Sequence, residues 1–251
     1  MTLRLAVSIP VLIISYGVFL IWNAPAAWLV AQARPQLNAA QVNLFDAGGS
    51  AWNGRAELAF QNTDLGQLHW QASPWHLLTG HIAADFSLSG QGLHIQSRIN
   101  TGGGLTRLNK VEASGGLPSL AALLGLPGGL EGTLTAHLDE IVIGRNGLLQ
   151  SATGRLEAHD AKLTQVGVDL GTLTLTLENE QNGIRGQLAN RGGDLDLAGT
   201  LTLTPGGAYS LQATLYPHPG QNQLTDGLAA FLGAPDGAGR YHYNASGRLK
   251  P

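Results

Sequence analysis

His76 and His81 are the histidines closest in sequence, and paired imidazoles are a common start to a zinc site. No cysteine or nearby carboxylate completes a ligand set around them, and their spacing does not favour one strand face. The other histidines are dispersed and read as polar surface groups. Asp139-Glu140 and Glu178/Glu180 could in principle supply paired carboxylates for acid–base work. They fall at strand ends or on a polar face, where ordinary solvating charges belong. Gly102-Gly103-Gly104 and Gly128-Gly129 lack the lysine and the strand-to-helix setting of a phosphate cradle, so they read as turns. The chain has no Gly-x-Ser-x-Gly elbow, no His-Glu-x-x-His and no Gly-x-x-x-x-Gly-Lys. We therefore expect no catalytic residue, no metal ligand and no cofactor site. An enzyme with scattered residues is the minor alternative and would need a deep pocket of converging polar groups.

The conspicuous constellation is aromatic. It runs through Gly49, Trp52 and Gly54, then Trp70, then Pro74, Trp75 and Gly80, in a chain with few other aromatic residues. Clustered tryptophans bury large areas. One reading makes them a core plug at the membrane-proximal end of a sheet. The other makes them a hot spot for a protein partner, where tryptophan is enriched.

Those residues follow an apolar N-terminal segment. No charged side chain lies between Arg4 and Arg34, and Leu5, Val11, Leu12, Ile13, Ile14, Val18, Phe19, Leu20, Ile21 and Trp22 make the run strongly apolar. About 20 such residues cross ~30 Å of hydrocarbon as a helix that satisfies its own backbone. Trp22 and Trp28 suit the headgroup zone. Ala24-Pro25-Ala26 has the small-x-small pattern of a signal-peptide cleavage site. The run exceeds the ~7–15 residues of a signal core, and proline inside the site is a handicap, so a retained anchor is expected. Arg4 favours a cytoplasmic N-terminus. The expected division is residues 1–30 for the anchor and its flank, 31–44 for a connector and 45–251 for a β-rich domain.

Charged residues make up 12% of the 251, with 14 Lys plus Arg against 17 Asp plus Glu and no basic cluster, which argues against a nucleic-acid surface. Absence of cysteine excludes disulfides and thiol nucleophiles without assigning a compartment. The 35 glycines are about twice the ~7% of average usage and punctuate short apolar runs. In Gly171-Thr-Leu-Thr-Leu-Thr-Leu177 the leucines Leu173, Leu175 and Leu177 share one face, the alternation of a half-buried strand. Ile82/Ala84/Phe86/Leu88, Leu134/Ala136/Leu138, Leu201/Leu203, Leu211/Ala213/Leu215 and Tyr241/Tyr243/Ala245 repeat the pattern. Asn146-Gly147, Asn182-Gly183, Arg191-Gly192-Gly193 and Pro205-Gly206-Gly207 mark turns between them, so an antiparallel meander is expected. Pro118 to Gly125 and Gly227 to Gly233 read as short helices. Leu120–Pro127 matches Leu228–Pro235 at an offset of 108, and Asp64–Leu68 matches Asp169–Leu173 at an offset of 105. The expected fold is thus mainly β: one N-terminal transmembrane helix, then a curved antiparallel sheet of two similar halves, about 45–145 and 146–251, with short helices.

Taken in order, these motifs resemble the N-protein family of the bacterial type II secretion system, also called general secretion pathway protein N. The resemblance rests on the N-terminal span, Gly49-x-x-Trp52-x-Gly54, Leu68-x-Trp70, Pro74-Trp75-x-Leu77-Leu78-x-Gly80, Gly239-Arg-Tyr241 and Gly247-Arg-Leu249. Ser50 stands where the family is expected to carry threonine. The resemblance implies a Gram-negative inner-membrane protein with a cytoplasmic N-terminus, a periplasmic β domain and other secretion components as partners. It also implies a relation to AsmA-type β-groove proteins associated with lipid transfer, which makes lipid the alternative ligand. No catalytic residues come with the family.

Overall fold

Alternation of aliphatic and polar side chains gives a strand two chemically distinct faces, and a glycine-marked turn returns the chain antiparallel. The structure, a computed structural model, describes residues 19, 22–39, 41–60, 63–75, 81–123, 129–165 and 167–248. Among the described residues thirteen strands follow one another in chain order, and the chain divides into two compact units, residues 1–91 and 92–251.

The first unit holds helix α1 (Ala26–Ala39) and strands β1 (Val42–Gly49), β2 (Asn53–Phe60), β3 (Thr63–Ala72) and β4 (Ile82–Gly90). All three strand pairings within it are antiparallel. Ala56 faces Leu68, which faces Leu88, and this column buries Ala56 and Leu88. Helix α1 packs on β1 and β2. Ala26 and Val30 are buried, and Ala33 and Leu37 half-buried, the i, i+4, i+7 stripe of a helix face. Trp28 lies about half a turn from that stripe, outward.

Of the apolar residues named for the expected anchor, Phe19 and Trp22 are described; Leu5, Val11, Leu12, Ile13, Ile14, Val18, Leu20 and Ile21 lie outside the described residues. Among the described residues no helix is long and apolar enough to cross a membrane.

The second unit contains β5 (Leu93–Gly102), β6 (Leu105–Gly116), helix α2 (Leu117–Leu123), β7 (Leu130–Ile143), β8 (Leu149–Leu163), β9 (Val168–Glu180), β10 (Gly183–Arg191), β11 (Leu195–Leu203), β12 (Ala208–Pro217), helix α3 (Asn222–Leu232) and β13 (Tyr241–Arg248). Its strands form one antiparallel meander. The register carries the expected alternation across neighbours. Leu156 faces Leu175, which faces Leu188; Leu201 faces Leu211; Leu215 faces Tyr241. On the opposite face Thr176 stands between Arg155 and Gln187, and Thr174 beside Glu157.

The apolar face is incompletely covered. Leu117 of α2 packs with Ala158 and Ala161 and with Leu130, Leu134, Leu170 and Leu173. A second cluster joins Ala152, Ile184 and Leu203 to Leu149, Leu177 and Tyr209. Between them Leu156, Leu175, Leu188, Leu201 and Leu211 stay half-buried.

Side-chain amides and carboxylates hold the turns. Asn190 Nδ2 donates to the carbonyls of Leu170 at 3.0 Å, Gly192 at 3.1 Å and Leu195 at 2.7 Å, and its Oδ1 accepts Leu197 N–H at 2.7 Å. Asp194 accepts Asp169 N–H at 2.8 Å and Gln221 Nε2–H at 2.8 Å. Gln221 is the N-cap of α3, so this helix begins at Asn222, earlier than the expected Gly227. Strand β7 begins at Leu130 and β13 at Tyr241, within two residues of the expected Gly132 and Gly239.

Candidate functional site at the tryptophan end of the first unit

The Gly49–Gly54 motif is the turn between β1 and β2. Ser50 N–H donates to Asn53 O at 2.9 Å, and Asn53 N–H donates back to Ser50 Oγ at 3.0 Å. The hydroxyl is the part of the residue 50 side chain that works here, and threonine carries the same oxygen, so serine in place of the expected threonine leaves the bond intact. Gly49 has φ of 85°, in the left-handed region where a Cβ is penalised. Gly54 stands directly opposite Trp70 of β3. A Cβ at Gly54 would lie 2.7 Å from Trp70 Cε2 and 2.8 Å from Ser50 O, so the glycine is the floor on which the indole rests.

Three further bonds fasten the turn. Trp70 Nε1–H donates to Ala51 O at 3.1 Å, and Ala72 N–H donates to Trp52 O at 2.6 Å. Ala51 N–H donates to Ala24 O at 2.8 Å beside an antiparallel bridge between Pro25 and Ser50. The segment entering α1 is therefore sewn to the hairpin turn. Ala26, at the start of the helix, is fully buried.

The tryptophans take different positions. Trp52 and Trp70 are half-buried, and Pro74 is half-buried just beyond β3. Trp75 is 65% exposed and meets the edge of Trp22, itself 47% exposed, with ring centroids 5.4 Å apart and planes at 73°. Trp28 on α1 is 59% exposed. Gly80, like His76, Leu77 and Leu78, lies outside the described residues.

Elsewhere, no group of three or more His, Cys, Asp or Glu among the described residues could hold a metal ion. One feature of the second unit escaped the sequence reading, an open polar groove of about 570 Å³ across β10–β13, lined among others by Arg185, Gln187, Thr200, Gln212, His242 and Asn244. Its polar walls follow from the non-leucine face of the alternation. Beside it, Asp236 anchors the loop into β13. The Arg240 backbone N–H above all, then the Ala238 N–H, the His242 ring at 3.2 Å and the Arg240 guanidinium at 3.1 Å, hold its carboxyl well below the usual carboxylate range. Tyr241 OH donates to Thr225 O at 3.1 Å and ties that strand to α3.

The chain is 29% identical to the type II secretion system protein N of Aeromonas hydrophila over 247 residues, covering 94% of this chain and 96% of that protein. It is 25% identical to the type II secretion system protein N of Vibrio cholerae serotype O1 over 209 residues, covering 80% of this chain and 82% of that one. No solved structure matches it significantly. The family model described as type II secretion system, protein N, matches residues 40–244, which takes in the latched turn, both short helices and the start of β13. The chain belongs to the type II secretion system protein N family.

Proposed function

We propose that this protein is a non-enzymatic inner-membrane accessory component of type II secretion, whose periplasmic β domain docks other secretion components during export of folded proteins. The observation that carries this reading is the family match across residues 40–244. It is supported by the charge-free apolar run ahead of Trp22, which suits an anchor with a cytoplasmic N-terminus. Exposed aromatic rings and the open edge of β13 give the domain surfaces for a partner, by packing or by strand addition. Residues 45–145 and 146–251 are read as two copies of one unit, a reading supported by a short helix near the end of each. Two tests apply. Protease added to spheroplasts should digest the β domain but leave a membrane-embedded N-terminal fragment. Crosslinking in intact cells should recover another secretion component with the protein; recovery of none would reject the docking role.

A second reading is lipid binding on the apolar sheet face. The half-buried leucines Leu156, Leu175, Leu188, Leu201 and Leu211, on two adjacent cross-strand rows, favour it, because leucines left partly open on a sheet can accept acyl chains. Native mass spectrometry of the full chain should then show bound phospholipid, and a clean apo mass would reject it.

A further inference from the structure

All five tryptophans of the chain gather at one end of the first unit. Trp52 lies in the β1–β2 turn, Trp70 opposite Gly54 at the base of that turn, and Trp75 three residues beyond β3. Trp28 lies in the first turn of α1, whose entry is bonded to the same turn through Ala24 and Ala51. Trp22, the last residue of the apolar run, touches Trp75. The opposite end of the β2–β3 hairpin, at Phe60 and Thr63, lies roughly 25 Å away at about 3.3 Å per strand residue.

Such a one-ended distribution needs a cause. Packing accounts for Trp70, which fills the space over Gly54 and bonds Ala51. It does not account for Trp22, Trp28 and Trp75, which leave 47%, 59% and 65% of their surface open. Phe19, 60% exposed, and Leu29 add to that apolar surface. Indole is apolar in its body and polar at its N–H, so it partitions to the headgroup zone of a bilayer. A charge-free apolar segment long enough to span hydrocarbon leads directly into this cluster.

We propose that Trp22, Trp28 and Trp75 form an interfacial seat in the phospholipid headgroup zone, so that the first unit stands end-on upon the bilayer, tryptophan end down and the Phe60–Thr63 end away. The inference rests on the anchor reading given above. It assigns the exposed rings to lipid headgroups in preference to a protein partner. The sewn turn ties the parts of the seat together: Trp75 follows three residues after β3, whose Ala72 and Trp70 are bonded to the turn that holds Ala24. The orientation of the strands relative to the membrane is then fixed where the chain leaves it, without a flexible stalk.

The chain lacks cysteine, so single cysteines can be introduced and spin-labelled without background. The full-length protein carrying Leu12→Cys, Trp75→Cys or Thr63→Cys is reconstituted into phosphatidylethanolamine/phosphatidylglycerol vesicles. Accessibility to oxygen and to a water-soluble nickel chelate gives the depth of each label. We expect hydrocarbon depth at residue 12, headgroup depth at residue 75 and open water at residue 63. Because Trp75→Cys removes one ring of the seat, a second measurement keeps it. Brominated phospholipid should quench the tryptophan emission of the unaltered chain, and by a smaller fraction in Trp75→Phe. Residue 75 as nickel-accessible as residue 63, with residue 12 in hydrocarbon, overturns the seat while leaving the anchor intact. Equal quenching in both proteins does the same, and points to a protein partner for Trp75. An aqueous label at residue 12 overturns the anchor and the seat together.

Discussion

Gly54 and Trp70 face each other across β2 and β3, and the indole lies where a side chain at position 54 would begin. The relationship ties the glycine that ends one motif to the tryptophan of the next, sixteen residues on. Gly54→Ala must displace the ring or the strand. We expect a loss of about 1–3 kcal/mol, typical of overpacking, and a fall in midpoint of roughly 2–4 °C per kcal/mol in calorimetry. Gly206→Ala, at a turn position with room for a methyl group, should leave the midpoint nearly unchanged.

Trp70→Phe removes both the fused ring atoms over Gly54 and the N–H that Ala51 O accepts. An orphaned carbonyl and a lost packing surface together should cost about 2–4 kcal/mol. In that background Gly54→Ala should cost less than it does alone. Urea titrations of the four proteins give the coupling. Additive effects would mean that the two residues do not share one space.

Acid should loosen the loop into β13 through Asp236. Its carboxyl is held below the usual range by hydrogen bonds of the folded state, so the folded protein binds that proton later than the unfolded chain does. Its stabilisation is therefore complete above about pH 5, begins to fade near the ordinary aspartate value of ~4, and is lost as pH falls through the lowered folded value. In Asp236→Asn the midpoint should be lower at pH 7, and its decline between pH 5 and pH 2 shallower, than in the unaltered protein. An unchanged slope would show that the loop contributes nothing to acid sensitivity.

The N-terminal segment should be retained in the mature protein. Cleavage after Ala26 would remove Ala24 O and the Pro25 bridge from the turn they hold, and would expose the chain at a fully buried residue. Intact-mass measurement on membrane-extracted protein should find residues 1–26 present. A mass lacking them would make the segment a signal peptide.

Much of the sheet was legible in the sequence because strand alternation is local: Leu173, Leu175 and Leu177 declare their face whatever they pair with. The turn glycines at 147, 183, 192 and 207 were legible for the same reason. What stayed hidden depends on register and distance. That Gly54 receives Trp70 follows from a pairing no local window shows. Gln221, the residue before α3, reaches Asp194 across a hairpin, and Asn190 gathers carbonyls from β9, the β10–β11 turn and the start of β11. The tryptophan segment stood out by composition, but only cross-strand geometry separates Trp70, held inside the latch, from Trp75 on the surface.

The central claim is that the apolar N-terminal segment and the hairpin end of the first unit meet as one assembly, through Trp22 and Trp75. A chain carrying Trp22→Cys and Trp75→Cys, treated in membranes with a short bis-maleimide, measures this directly. The account predicts rapid intramolecular crosslinking, seen as an altered gel mobility, and none when Trp75→Cys is replaced by Thr63→Cys. Equal or absent crosslinking in the two double variants would contradict it.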